Sequence, residues 1–265
     1  MGEFTDWTID DASRQIAIPN ELDDKHSRGV LGVITGSIEY PGAAILGVEA
    51  ALRTGVGMVR YLGPPTVSEL VLQRRPEAIH VPGRVQAWLI GSGIGADDTN
   101  ETTAAAITAA LAQSVPIVLD GASIRRHAEC AGAVVITPHV RELATLLAGD
   151  AAVIAADPAR AAREAADRLG VTVLLKGHST LVAAPDVLFR VRQAPTWLAT
   201  AGAGDALGGI LGALVAIPVA AALQIVIRDL WRNGDIRTTL PDGDVGGDMP
   251  PPGTPADAPA ASVQA

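Results

Sequence analysis

One cysteine, Cys130, stands in 265 residues. That scarcity excludes an intrachain disulfide framework and any metal cluster built on several thiolates, and it fits a reducing compartment. Positive charge is also in deficit, with 20 Lys and Arg against 29 Asp and Glu and a formal charge of −9. A surface of that sign does not track nucleic-acid phosphates, so small-molecule chemistry is expected and a nucleic-acid partner is not. A nucleotide is not excluded, because backbone N–H groups at a helix start capture an anion locally whatever the net charge. Long apolar runs are missing too: Gly, Pro or charge interrupts each apolar stretch within about 18 residues, too soon to span a bilayer. The opening residues carry Glu3 and Asp6 where a secretory signal would carry basic and then apolar residues. Asp6 also stands where a myristoylation signal needs Ser or Thr. A cytoplasmic protein with no membrane partner is therefore expected.

What is present is a chain 48% apolar and 18% charged, enough to bury one large core. From Gly29 to Ala216 short apolar runs alternate with helix-period segments, the habit of an α/β fold whose parallel sheet is covered by helices. Strands are expected at Val30–Thr35, Met58–Leu62, Ala87–Ile90, Pro116–Asp120, Ala133–Thr137 and Val171–Lys176. Helices are expected at Gly42–Arg53, entered through Pro41 and stopped by Gly55, and at the alanine-rich Ala104–Ala112 and Pro158–Leu169. Residues 1–24 read as a polar lead-in arm with at most weak structure. Pro218–Trp231 is strongly apolar and suits a helix, and 238–265 is a Pro/Gly/Asp-rich tail expected to be disordered.

In open α/β sheets ligands bind beyond the carboxyl ends of the strands, so the residues at those ends are the candidates. Gly202-Ala203-Gly204-Asp205 opens an apolar helical run. Its glycines allow N–H groups to converge on an anion, and Asp205 there can act as a base. An aspartate at a helix start is equally a favoured N-cap, and spacing alone leaves both readings open. Gly208, Gly209 and Gly212 favour the ligand reading, since glycine in a helix is costly without a close neighbour.

Lys176-Gly177-His178-Ser179-Thr180 combines a cation, a flexible turn and hydroxyls suited to a nucleotide, or else makes a hairpin turn between Leu174 and Val182. His139, after Thr137-Pro138, is a hydrogen-bond donor to a ligand or a capping histidine. Gly91-Ser92-Gly93-Ile94-Gly95 suits close ligand approach but lacks dinucleotide-fingerprint spacing. Gly36-Ser37 and Tyr40-Pro41-Gly42-Ala43-Ala44 open another helix at the same edge, for a ligand or for tight packing. Asp120, followed by Gly121, offers a carboxylate to a metal or ribose, with a helix cap as the alternative.

The order of these motifs, with Ser27–Val33, Leu52–Tyr61, Gly83–Trp88 and Thr196–Asp205, is similar to that of the ADP-dependent NAD(P)H-hydrate dehydratases. The resemblance covers about Asp24 to Ala216 and is greatest to the actinobacterial form, in which this domain often follows an epimerase domain. It implies a ribokinase-like α/β fold, a mainly parallel central sheet flanked by helices on both faces. It also implies the dehydration of NADH-hydrate or NADPH-hydrate while ADP, the co-substrate, is cleaved to AMP and phosphate. By that resemblance Asp205 is the base and Gly202, Ala203 and Gly204 form an anion hole. Ala43, Gly93, His139 and Asp205 contact the hydrate, and Lys176, Gly177, His178, Ser179, Thr180 and Gly204 contact the adenine nucleotide. Mg2+ is implied without identified ligands, as are a pairing with an NAD(P)H-hydrate epimerase and room for a homo-oligomer.

The pattern departs at Ser92, where the family usually has the proline of Gly-Pro-Gly, and at Arg141, where it has glycine before Glu142. Asp120 is kept from an Asp-Ala-Asp motif, with no second carboxylate at its neighbour Ser123, and Arg192–Pro195 replaces Asn-Pro-Thr-Gly. The dehydratase domain is expected over 25–237, with 217–237 divergent. Two other readings share these motifs: a small-molecule kinase of the same fold, such as a vitamin-precursor kinase, and a truncated nucleotide-binding relative without activity.

Overall fold

Residues 4–217, apart from 15, 17, 98, 99, 186 and 193–195, are described by a computed structural model and lie in one compact unit. The chain begins with β1 (Thr5–Asp6) and α1 (Ile9–Ser13), then β2 (Val30–Ile34), α2 (Pro41–Thr54), β3 (Met58–Tyr61) and α3 (Pro65–Arg74). It continues through β4 (Ala87–Ile90), α4 (Glu101–Leu111), β5 (Ile117–Leu119), a 3-10 segment (Gly121–Glu129), β6 (Val134–Ile136) and α5 (Val140–Leu147). The last elements are α6 (Ala151–Ala156), α7 (Pro158–Leu169), β7 (Thr172–Leu175), β8 (Thr180–Ala184), β9 (Val187–Val191) and α8 (Ala203–Ala216).

The nine strands form one sheet in the order β1-β9-β8-β7-β6-β5-β4-β2-β3. Neighbours are parallel except at β7–β8 and β8–β9. Alternate side chains of each central strand enter opposite cores. Val30 and Ile34 of β2 join Trp88, Ile117, Leu119 and residues of α4, α5 and α7 in one. Leu31 and Val33 join Val59, Leu89 and residues of α2, α3 and α8 in the other. Burial on both faces is why these strands read as unbroken apolar runs. The α/β architecture, a mainly parallel sheet with helices on both faces, is what the family resemblance implies.

The six expected strands and three expected helices are all present, with ends shifted by a few residues. The arm is more ordered than its composition implied. Thr5–Asp6 pairs in parallel with Phe189–Arg190, and the Arg190 guanidinium both bonds Asp6 at 2.6 and 2.9 Å and lies over the Phe4 ring. Those contacts span most of the chain, so local sequence does not reveal them. The expectations for 218–237 and for a disordered 238–265 lie outside the described residues.

The helical glycines of α8 have a packing role in place of the ligand role that their spacing favoured. A Cβ on Gly209 would overlap the Gly47 carbonyl oxygen of α2, and one on Gly212 would lie 3.2 Å from Leu31 and Leu89. Glycine lets α8 approach α2 and the sheet at backbone distance. That approach fixes where the start of α8 meets the carboxyl edge.

Candidate functional site

Parallel pairing of β2, β4, β5, β6 and β7 brings Thr35–Tyr40, Gly91–Asp97, Asp120, Thr137–His139 and Lys176–Ser179 to one edge of the sheet, where α8 begins. Gly202, at φ +87°, takes the N-cap position of α8, a left-handed conformation that favours glycine. Asp205 is therefore the third helical residue, and the N-cap reading fails for it. Ala206 N–H donates to the Gly202 carbonyl at 3.0 Å, while the N–H groups of Gly204 and Asp205 donate to no backbone carbonyl among the described residues. Free N–H groups in a first turn, reinforced by the helix dipole, are what an anion hole requires.

The Asp205 carboxylate makes no hydrogen bond to any described residue. Burial pushes its pKa above the usual carboxylate range, and the negative charge of Asp120 adds to the rise. The ammonium of Lys176 opposes it. An unengaged carboxylate with a raised pKa is a stronger proton acceptor than an ordinary aspartate.

Lys176 Nζ donates to Asp120 Oδ1 at 2.8 Å, lies 3.9 Å from Glu142 Oε2, and would be 3.8 Å from a Cβ on Gly204. The rest of its motif is a hairpin turn: Leu174 pairs with Val182, Thr180 starts β8, and Gly177 and His178 are exposed. The hairpin reading therefore holds, and it does not exclude the nucleotide reading, since the turn sits at the ligand edge. Asp120 precedes the 3-10 segment but its side chain makes no cap bond. It instead accepts from Ser92 Oγ, Thr137 Oγ1 and Lys176 Nζ.

His139 does cap α5. Its Nδ1 accepts from the Arg141 and Glu142 N–H groups at 3.1 and 3.2 Å, and Glu142 Oε2 accepts from the His139 N–H at 2.7 Å. With Nδ1 committed as an acceptor, the neutral ring carries its proton on Nε2, on a half-exposed side chain that remains able to donate to a ligand. Replacing His139 with Ala is expected to cost about 1 kcal/mol of stability, and replacing it with Asn to recover most of that. Equal thermal midpoints for the two variants would exclude the capping role.

Ala43, buried at the start of α2, is in contact range of Gly93, where a Cβ would overlap the Ala43 methyl. Tyr40, whose carbonyl oxygen would lie 3.1 Å from that Cβ, also lines an open cleft of about 410 Å3 with Ser37, Glu39 and Asp97. All the candidate residues thus share one edge, in two groups: Lys176 over the start of α8, and Ala43 with Gly93 beside the cleft. Ser92, Thr137 and Glu142 escaped the sequence reading as partners. Only Glu142 had a signal, its capping-box spacing from His139. The hydroxyls matter only because β4, β5 and β6 are neighbours. Among the described residues no cluster of three His, Cys, Asp or Glu side chains could hold a metal ion.

Residues 31–250 match the family model described as NAD(P)H-hydrate dehydratase. A bifunctional NAD(P)H-hydrate repair enzyme of Mycobacterium tuberculosis is 42% identical over 222 residues, 78% of this chain and 45% of that protein. The chain thus spans under half the length of that relative. An ADP-dependent (S)-NAD(P)H-hydrate dehydratase of Neisseria meningitidis is 35% identical over 79% of this chain and 76% of its own length. Among solved structures, an ADP/ATP-dependent NAD(P)H-hydrate dehydratase of Bacillus subtilis, co-crystallized with ATP/Mg2+, superposes with a TM-score of 0.71. It is 24% identical, and the match covers 89% of this chain and 93% of that one, which supports the fold.

Proposed function

The chain belongs to the NAD(P)H-hydrate dehydratase family, and we propose that it performs ADP-dependent dehydration of (S)-NADH-hydrate or NADPH-hydrate, a hydro-lyase reaction that repairs the damaged nicotinamide. The observation that carries this reading is the start of α8. An unengaged carboxylate of raised pKa, two free N–H groups and a lysine ammonium meet there within one helical turn.

Asp205 takes the proton of the substrate hydroxyl, whose oxygen bonds to the terminal phosphorus of ADP as the bond to AMP breaks. Loss of phosphate, with a proton from the adjoining ring carbon, then restores the ring double bond. In the Gly202-Ala203-Gly204 anion hole, the N–H of Gly204, with that of Asp205, takes up charge on the transferring phosphoryl group, while the Ala203 N–H donates to the Thr200 carbonyl at 3.4 Å and Gly202 shapes the turn; Lys176 adds a cation. Gly177 to Thr180 border the adenine nucleotide, and Ala43, Gly93 and His139 the hydrate. Mg2+ fits as a counter-ion of the nucleotide, whose phosphates supply most of the oxygens such an ion needs, since the described residues form no cage of their own. A hydrate epimerase is the natural functional partner, given a bifunctional relative of more than twice the matched length. No described helix is long and apolar enough to cross a membrane.

Protein incubated with chemically hydrated NADH, ADP and Mg2+ is expected to regenerate the absorbance of reduced nicotinamide and release one phosphate per ring restored. Phosphate retained on a stable product would indicate a kinase instead. The rate should fall as pH drops through the pKa of Asp205, because only the ionised carboxylate accepts a proton. Burial and Asp120 raise that pKa, so the acid limb should lie above the range of an ordinary aspartate. A limb at or below that range would argue against Asp205 as the titrating base.

A further inference from the structure

Asp120 is 6% exposed and directly follows β5, an interior strand of the sheet. A buried carboxylate needs hydrogen-bond donors and a counter-charge. Three neighbouring strand ends supply the donors. Thr137 Oγ1, beyond β6, donates to Oδ1 at 2.6 Å, and Lys176 Nζ, beyond β7, donates to the same oxygen at 2.8 Å. Ser92 Oγ, beyond β4, donates to Oδ2 at 2.9 Å.

Ser92 and Thr137 are themselves held by the backbone, through Gly36 N–H to the Ser92 carbonyl at 2.7 Å and Thr137 N–H to the Leu119 carbonyl at 3.1 Å. The carboxylate is therefore aimed by fixed hydroxyls, and the mobile member is the lysine, a four-carbon stem with a freely rotating ammonium. Without Asp120 the nearest carboxylate for Lys176 is Glu142, at 3.9 Å on α5. With it, the ammonium stays 3.8 Å from the position of a Cβ on Gly204.

We propose that Asp120 is a positioning residue for phosphoryl transfer: with its carboxylate aimed by Ser92 and Thr137, it holds the Lys176 ammonium over the first turn of α8, where the phosphate meets Asp205. This rests on the reading that α8 receives the phosphate of ADP. Asp120 reaches the phosphate through Lys176, and its charge also raises the pKa of Asp205, so its effect falls on phosphoryl transfer and nucleotide affinity and leaves the hydrate pocket at Ala43 and Gly93 unchanged.

The test is a double-mutant cycle on the full chain. Asp120→Asn is expected to lower kcat about 10²-fold, the scale of a displaced catalytic group, with the KM for the hydrate within about twofold. Affinity for ADP, measured by calorimetry, should weaken about tenfold. At a pH where Asp205 is ionised in every variant, so that its pKa no longer affects the rate, Asp120→Asn/Lys176→Met should lose about as much as Lys176→Met alone, because the ammonium that Asp120 positions is already gone. Additive losses, or an Asp120→Asn variant with unchanged kcat and ADP affinity, overturn the proposal. Should Asp120→Asn not fold, Ser92→Ala and Thr137→Val carry the test. Each should lower kcat and ADP affinity a few-fold at constant hydrate KM, and no change in either overturns it. If the unmodified protein binds ADP but turns over no hydrate, the dehydratase reading fails while the ADP affinities still decide the role of Asp120. If it binds no ADP, both fail.

Discussion

Replacing Asp205 with Asn is expected to lower turnover of the hydrate by about 10²–10⁴-fold, the contribution of a positioned general base, and to leave the protein at least as stable as before. The two halves of that expectation have one cause. Asp205 makes no hydrogen bond to a described residue, and burial and Asp120 raise its pKa. An acid whose pKa is higher folded than unfolded loses stability as pH rises from its unfolded pKa through its folded pKa, and above both the folded state carries the full penalty of the ionised group. Asparagine has no charge to bury, so removing the carboxylate takes away reactivity and relieves a folding cost. A structural cap would behave oppositely, with loss of stability of about 1 kcal/mol. Thermal unfolding at neutral pH beside the hydrate assay separates the two. An Asn variant that melts lower and still turns over would return Asp205 to the role of a helix-start residue.

Gly209→Val carries the largest expected loss of stability, about 1–3 kcal/mol from overpacking or a fall of about 2–12 °C in Tm. The residue met by the new Cβ is not a side chain that can rotate away. It is the carbonyl of Gly47, with the Ala50 methyl 3.0 Å off. Helix α8 must lift from α2, and Asp205, one turn earlier on the same helix, lifts with it. Activity should therefore fall further than stability alone explains, with kcat reduced at temperatures where the variant is fully folded. Gly149→Ala is the matched control, since a Cβ there meets nothing within 4 Å. A Gly209→Val variant indistinguishable from that control in Tm and kcat would show that α2 and α8 do not need backbone contact.

The order of elements was legible because each central strand is buried on both faces, so Val30–Ile34, Ala87–Ile90 and Ile117–Leu119 stand out as apolar runs. The hairpin strands β8 and β9 were not placed, since they lie toward one side of the sheet and mix Thr180, Phe189 and Arg190 among apolar residues. Strand β1 was invisible because two residues at the edge of a sheet have no pattern of their own. At the site, the glycine turn, Asp205, Lys176 and His139 were legible as strand-end and helix-start chemistry. Their assignments were not: cap or base for Asp205, hairpin or nucleotide turn for Lys176, donor or cap for His139.

By itself the sequence determined which chemical groups reach the carboxyl edge, because strand and helix periods are local and place Asp120, Thr137, His139, Lys176 and Asp205 at strand or helix ends. Only the tertiary structure decided what those groups do there. Strand order makes Ser92, Thr137 and Lys176 neighbours of Asp120, and the close seat of α8 on α2 at Gly47 and Gly209 sets Asp205 beside them. Both are contacts between residues far apart in the chain, whose energies depend on distances that no local pattern encodes.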